Sequence, residues 1–407
     1  MSKVRSKSKN HSREVKSLAA SGIQIIEFGG HELQLENLSY FFEGAKSLCV
    51  HYRHGRYGEA AEVNFSEHTL KHARFYSVDK GVFRATVAFY KGILRNTSRR
   101  DLIFVSTGPE QKRWPDIIFF LFLVLLHGNR LVLNIRRPEA WVRSPTTSGV
   151  ASCELIARSF ALRGLKRVTC EGIGSKDFLD RFSGMENLLV SHIPTQFSDY
   201  VRERFRSDGD LVKNSPALHK PGKVVKIGLL GGLDSRRRDY SVLAEALMLL
   251  SDQMRQRITL VVLGRRFGRK SDEIVRFLRE NVAVELPPSQ FLTREEFYSM
   301  GLGCEILLSP LRSAGGYGSA RGSGSYGDAI ALGKKLIIPE GVDPSSEYLN
   351  TSLTYLTAGD LSDLLSSLLN DSHLAELQSL HLVEFSRNSV ITRVQKELNL
   401  LLNSDNE

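Results

Sequence analysis

Short apolar, β-rich runs recur along this chain, each separated from the next by a stretch long enough for a helix, and the pattern restarts past the midpoint. In the first half the runs are GIQIIEF (22–28), Ser47–Tyr52, Ala73–Val78, DLIFVS (101–106), RLVLNI (130–135), Arg167–Cys170 and Leu188–His192. Helical stretches lie between them, clearest at Lys112–His127 and Ala151–Leu162. VVKIGLL (224–230), ITLVVL (258–263), Glu305–Leu308, Lys335–Pro339 and Leu353–Leu356 take up the alternation again. Runs of this kind, alternating with helical segments, dictate βαβ units and mostly parallel sheets. At 407 residues the chain also exceeds what one hydrophobic core supports. The expected fold class is therefore α/β, with two Rossmann-like domains.

The stretch from Phe205 to Lys223 is polar, holds two prolines and two glycines, and precedes a fresh strand. It marks a linker over 206–222, between an N-terminal domain over 21–205 and a C-terminal domain over 223–372. Amphipathic helices are expected over 373–407, packing back on the N-terminal domain, and residues 1–20 read as a basic, serine-rich, disordered tail. That tail has no apolar signal core, and the four cysteines (Cys49, Cys153, Cys170, Cys304) are far apart, each in an apolar run. Neither disulfides nor a zinc site is expected, and the location expected is cytoplasmic. The run Ile117–Leu126 is uninterrupted by polar groups, yet a membrane span needs about 20 such residues. A buried core helix is expected there, with a helix resting on a bilayer surface as the alternative. The net charge of +10 suits a partner carrying phosphate, whether nucleotide, lipid pyrophosphate, nucleic acid or anionic membrane.

Two places in the second half suit a diphosphate. Directly after the strand at 224–230 come Gly231, Gly232, Leu233, Asp234, Ser235, Arg236, Arg237 and Arg238. Glycines let backbone N–H groups approach an anion, and arginines bind phosphate in bidentate fashion. An ordinary turn with a solvated charge run fits the same residues. The second place is GGYGSARGSGSYGD (315–328), in which Gly322, Gly324 and Gly327 match G-x-G-x-x-G. A dinucleotide fingerprint should follow its strand at once, and this one does not. The loop reads better as one folded over an anion, delivering Gly327 and Asp328 to a helix N-terminus. Asp328 could equally cap that helix, and the loop could be merely flexible. Farther upstream, Thr293 and Glu296 have the spacing of a capping box.

Taken in order, LLGGLDSRRRDY, ITLVVLGRR, ELPPSQFLTREEFYSM and EILLSPLRS…GSYGDAIALGKKLIIPEG resemble the donor domain of GT-B glycosyltransferases, of the family-4-like, group 1 kind. The resemblance covers Val224 to about Leu369; the N-terminal half is similar only in its rhythm. It implies two Rossmann-like domains facing a cleft. It also implies a donor diphosphate held at Gly231, Gly232 and Arg236 or Arg237, with Arg265 or Arg266 as candidates to supply what the clamp lacks at Gly232. By the same likeness Asp328 binds the donor ribose, and Gly322, Ser323, Gly324, Ser325 and Tyr326 line the phosphate or sugar pocket. Two positions depart from the family pattern. Gly232 stands where many members have arginine, and Ala320 where retaining members have the earlier of two glutamates.

Such folds position donor and acceptor and stabilise the departing diphosphate. An inverting member needs a base, for which strand ends of the first half offer His31, Glu32, Glu110 and Glu139, with Glu110 and His31 foremost. The expected activity is metal-independent sugar transfer from a nucleotide-diphosphate sugar to a glycan, lipid-linked or other hydroxyl, as in surface-polysaccharide synthesis. The nucleotide sugar is a co-substrate, and no cofactor is expected. Peripheral contact with an anionic membrane fits the charge, whereas nucleic acid is not an expected partner. The alternatives are a non-catalytic protein of the same fold, a nucleotide-sugar epimerase, or a transferase that modifies nucleic acid.

Overall fold

A computed structural model describes residues 22–28, 32–43, 45–53, 67–76, 82–98, 100–109, 114–142, 153–170, 173–184, 188–192, 224–266, 268–290, 292–312, 317, 323–342, 352–370 and 385–403. The chain divides into two compact units: Met1–Thr195 with Ala320–Gly322 and Val390–Glu407, and Gln196–Ser319 with Ser323–Ser389. Each is an α/β unit built on one parallel sheet, so the two Rossmann-like halves expected from the strand rhythm are present. The expected linker over 206–222 lies outside the described residues.

In the N-terminal unit the strands are β1 (Gly22–Glu27), β2 (Ser47–Arg53), β3 (Ala73–Tyr76), β4 (Leu102–Thr107), β5 (Leu131–Ile135), β6 (Arg167–Cys170) and β7 (Leu189–His192). The helices are α1 (Glu32–Phe41), α2 (Glu67–His72), α3 (Val82–Asn96), α4 (Trp114–His127), α5 (Cys153–Arg163) and α6 (Ile173–Phe182). The sheet runs in the order β3-β2-β1-β4-β5-β6-β7, every pair parallel. Strands β1, β4 and β5 are buried along their whole length, as a sheet covered on both faces requires. On one face Phe89 of α3, Phe120 of α4, Leu162 of α5 and Leu179 of α6 pack with Ile26, Val105, Leu133 and Val168 in a single cluster. Phe42, just past α1, meets Phe104 from the other face, with ring centroids 5.6 Å apart.

The C-terminal unit contains β8 (Val225–Leu229), α7 (Tyr240–Leu249), α8 (Asp252–Gln256), β9 (Ile258–Val262), α9 (Gly268–Arg279), β10 (Ala283–Glu285), α10 (Arg294–Leu302) and β11 (Ile306–Leu308). It continues with α11 (Gly324–Leu332), β12 (Leu336–Pro339), β13 (Ser352–Tyr355) and α12 (Ala358–Leu369). Its sheet order is β10-β9-β8-β11-β12-β13. Ile227, Leu229, Leu260 and Val262 pack against Leu243, Leu247, Leu278 and Leu361 as its core. The last helix, α13 (Arg387–Asn403), buries Val390, Val394, Leu398 and Leu401, spaced as one helical stripe, and belongs from Val390 onward to the N-terminal unit. Arg167 Nε donates to Leu401 O at 2.6 Å and Gln395 Nε2 to Phe41 O at 3.0 Å.

Three sequence expectations are corrected. The apolar run at 117–126 is a half-buried helix, not a wholly buried one: Ile117, Phe119, Phe120, Leu123 and Val124 face inward, while Ile118, Phe122, Leu125 and Leu126 are exposed. Cys153 is exposed at the start of α5 instead of sitting in an apolar environment. The helix expected from Asp328 begins four positions earlier, at Gly324. No described helix is long and apolar enough to cross a membrane.

Candidate functional site

Both sheets change direction once. In the C-terminal unit the chain runs outward from β8 through β9 to β10, then crosses back to β11 and continues the other way. The loops leaving the carboxyl ends of β8 and β11 therefore diverge at the topological switch point, where open α/β sheets bind ligands. They are the two segments singled out from sequence, Leu230–Arg238 and the glycine-rich stretch that leads into α11.

The first loop is folded tightly by glycine. Gly231 has φ +77°, and a Cβ there would collide with the Arg238 guanidinium. A Cβ on Gly264, in the loop after β9, would collide with the Gly231 carbonyl. Leu233 N donates to Arg265 O at 2.9 Å, so Arg265 is carried to the same edge of the sheet as the Gly231–Gly232 turn. The Asp234 carbonyl accepts from Arg237 N and Arg238 N, each at 3.0 Å, which makes one turn of the arginine run.

The two loops are sewn together. Arg238 and Leu311 form an antiparallel bridge, Asp239 N donates to Pro310 O at 2.7 Å, and Arg312 N donates to Arg237 O at 3.0 Å. The three arginines have distinct fates. Arg236, largely exposed, holds Asp234 through Nε at 3.0 Å and Nη2 at 2.9 Å. Arg237 donates from Nε to the Tyr317 hydroxyl at 2.7 Å, and its guanidinium carbon lies 5.6 Å from that ring's centroid. Arg238 is buried, donating to Leu230 O and Gly232 O at 3.0 Å each. Burial lowers its affinity for a proton.

On the second loop, Ser309 Oγ and Ser325 Oγ are 2.9 Å apart and buried. Ser323 is the N-cap of α11, its hydroxyl accepting from Ser325 N at 3.2 Å. The end of the helix dipole therefore sits at Ser323–Ser325, whereas Gly327 and Asp328 lie inside the helix. A Cβ on Gly324 would meet nothing within 4 Å, so space opens before the first turn. Tyr326 is buried. Asp328 is half-buried, and desolvation pushes its carboxyl up to about 7 against the opposing pull of Arg238. That pull couples the end of the first loop to α11. The placement of Gly324 and Gly327 inside a helix, well beyond Leu308, also removes the dinucleotide fingerprint reading.

The structure thus brings Gly231, Gly232, Arg236, Arg237, Arg265, Ser323, Gly324, Ser325, Tyr326 and Asp328 to the carboxyl ends of β8, β9 and β11 or to α11. Gly322, His31 and Glu110 lie outside the described residues. Glu139 is in a short 3-10 turn, bound by Arg137 Nε at 3.2 Å, and Glu32 opens α1. Sequence reasoning missed Arg238 as the link to Asp328, and it missed Tyr317 and Arg312. It also missed a row of buried polar groups near the carboxyl ends in the N-terminal unit. Ser106 Oγ donates to Glu27, Asn134 Nδ2 to Ser106 O at 3.1 Å, and Thr169 Oγ1 to Asn134 Oδ1 at 3.1 Å. The signal was there: each residue is a polar side chain near the end of a strand that is buried along its whole length. A hollow of about 720 Å³ beside Asp252, Arg255, Asn281 and Val282 opens at the opposite, amino-terminal edge of β9 and β10.

No family model matches the sequence, and no curated protein does. Solved structures do share the fold. The N-terminal domain of Candida albicans trehalose-6-phosphate phosphatase aligns with TM-score 0.59 at 10% identity, over 93% of this chain and 97% of that one. An α,α-trehalose-phosphate synthase (UDP-forming) from Burkholderia vietnamiensis aligns with TM-score 0.55 at 11% identity, over 95% and 99%. The E. coli trehalose-6-phosphate protein bound with UDP-2-fluoro glucose does so with TM-score 0.55 at 11% identity, over 94% and 98%. The likeness supports the GT-B architecture, and it does not extend to the family-4-like group that the sequence motifs suggested.

Proposed function

We propose that the chain is a glycosyltransferase whose C-terminal unit holds a nucleoside-diphosphate sugar at the β8/β11 switch point. One observation carries the reading: a glycine turn, the Arg237 guanidinium and the N-terminus of α11 are gathered by two cross-bonded loops. In this reading Arg237 swings from Tyr317 to the diphosphate and, with the α11 amides, stabilises the charge that develops as the sugar leaves. Asp328 takes the donor's ribose. The E. coli neighbour carries a UDP sugar analogue, and a Burkholderia xenovorans synthase of the same fold is in complex with glucose-6-phosphate. A UDP sugar and a sugar hydroxyl, free, lipid-linked or in a glycan, are accordingly the donor and acceptor to try first. The transfer needs no metal, and a base from the N-terminal unit serves an inverting course.

Calorimetric titration with UDP, GDP and ADP tests this reading. Saturable binding is expected, weakened about tenfold or more by Arg237→Ala, the loss of one charge-assisted contact. Absence of binding to all three would overturn it. A second reading has its own support: all three arginines already have protein partners, and Gly232 and Ala320 lack the usual functional groups. A non-catalytic protein of this fold follows from that, and sugar transfer or donor hydrolysis by the purified chain excludes it.

A further inference from the structure

Helices α3, α4 and α5 lie on one face of the N-terminal sheet, and α3 and α5 each touch α4. Tyr90 of α3 stacks on Phe119 of α4 with centroids 4.1 Å apart, and its hydroxyl donates to the buried Asp116 at 2.6 Å. Val124 of α4 abuts Gly164 at the end of α5. With their inner sides in the core, the three helices present their outer sides in the same direction. On α4 that side is a stripe of Trp114, Ile118, Phe122, Leu125 and Leu126, exposed by 43 to 78%. Phe83 and Val87 on α3 and Ile156 and Phe160 on α5 extend it, Phe83 being 81% exposed. Soluble proteins seldom leave so many large apolar side chains together in water.

Charge identifies the occupant. Helix α3 carries Arg84, Lys91 and Arg95, all exposed, and no acid. The only acid of α4 is Asp116, which is buried; α5 has the single acid Glu154 in its first turn, while Arg163 and Lys166 are exposed at its other end. An apolar surface with an aromatic residue at one end and cations interspersed matches the boundary of a bilayer, where apolar groups enter the acyl region and lysine and arginine reach the headgroups. At 14 residues α4 is too short to span, so any bilayer contact is made along its side. We propose that the outer face of α3, α4 and α5 docks the N-terminal unit on an anionic lipid membrane.

The test is flotation of the full chain with vesicles of phosphatidylcholine alone and of phosphatidylcholine mixed with phosphatidylglycerol. Binding to the mixed vesicles is expected. Phe122→Ser combined with Leu125→Ser should weaken it by about tenfold or more, and Lys91→Glu with Arg95→Glu should abolish the preference for phosphatidylglycerol. All four positions are exposed, and an unchanged melting temperature confirms folding. The chain's two tryptophans separate this face from the basic tail, because Trp141 is fully buried and Trp114 is on the stripe. Brominated lipid should quench the Trp114 emission. Failure to bind vesicles, binding without quenching, or binding untouched by the serine substitutions would overturn the proposal. So would a stable dimer in solution that the same serines dissociate, since a second copy would then be the occupant.

Discussion

Asp328 is the residue where fold and chemistry pull against each other. Helix α11 carries it into a half-buried position, and desolvation lifts its carboxyl from an ordinary 3.8 to about 7, with Arg238 only partly offsetting the effect. A carboxyl with a raised folded-state value binds protons in the native state that the unfolded chain has released. Stability therefore falls as pH rises between these two values, and above about 7 the loss is complete. Asp328→Asn should raise the melting temperature at pH 8 and leave it little changed at pH 4. If Asp328 holds the donor ribose, the same substitution weakens UDP-sugar binding, and gained stability with lost affinity is the mark of a residue kept for function. Thermal melts at the two pH values with a UDP-sugar titration measure both; a variant no more stable at pH 8 than the parent refutes the electrostatic account.

At the scale of elements, the helix start decides where the anion site is. Ser323 caps α11 through Ser325 N, so Ser323→Ala should destabilise the C-terminal unit by about 1 kcal/mol. Nucleoside diphosphate affinity should fall with it, and urea unfolding and titration check the two effects separately. Unchanged stability would mean that the cap contributes nothing. This start was not legible in the sequence, because Gly-Ser-Tyr-Gly is poor helix material read locally. Contacts distant in sequence overrule it: Ser325 reaches Ser309 on the β11 loop, and Tyr326 is buried. The capping box of α10 was legible because it is local: Thr293 N donates to Glu296 at 2.7 Å and Glu296 N to Thr293 Oγ1 at 3.2 Å. The strands could be read too, since strands buried on both faces make continuous apolar runs. In α4 that same continuity hid the orientation, as a run apolar all round does not show which side meets the core. The turn glycines and arginines of the β8 loop stood out by type. What each arginine holds depends on the second loop, and only the fold brings the loops together.

For the whole molecule, the two units should respond to pH in opposite senses. The N-terminal sheet buries His51 completely, in a network that gives both ring nitrogens a hydrogen-bond partner. Gln24 commits its amide nitrogen to Asn96 O at 3.1 Å and Asp101 at 3.0 Å, so its oxygen must accept from His51 Nε2 at 3.0 Å. In the neutral ring the remaining nitrogen, Nδ1, accepts from the Tyr76 hydroxyl at 3.1 Å. Burial, aided by the Arg74 charge, lowers His51 from 6.5 to about 4. Here the unfolded state binds the extra proton, so stability falls as pH drops from 6.5 toward about 4, by about 3 kcal/mol at the full shift. Acid loosens the N-terminal unit through His51, while alkali loosens the C-terminal unit through Asp328. Hydrogen exchange corrected for intrinsic rates should accordingly show β1 and β2 losing protection at pH 5 relative to pH 8, and α11 losing it at pH 8 relative to pH 5. His51→Gln should flatten the first response without touching the second, and Asp328→Asn should do the reverse. If either substitution flattened both responses, the two units would be unfolding as one, and the independent electrostatics assigned to each sheet would be wrong.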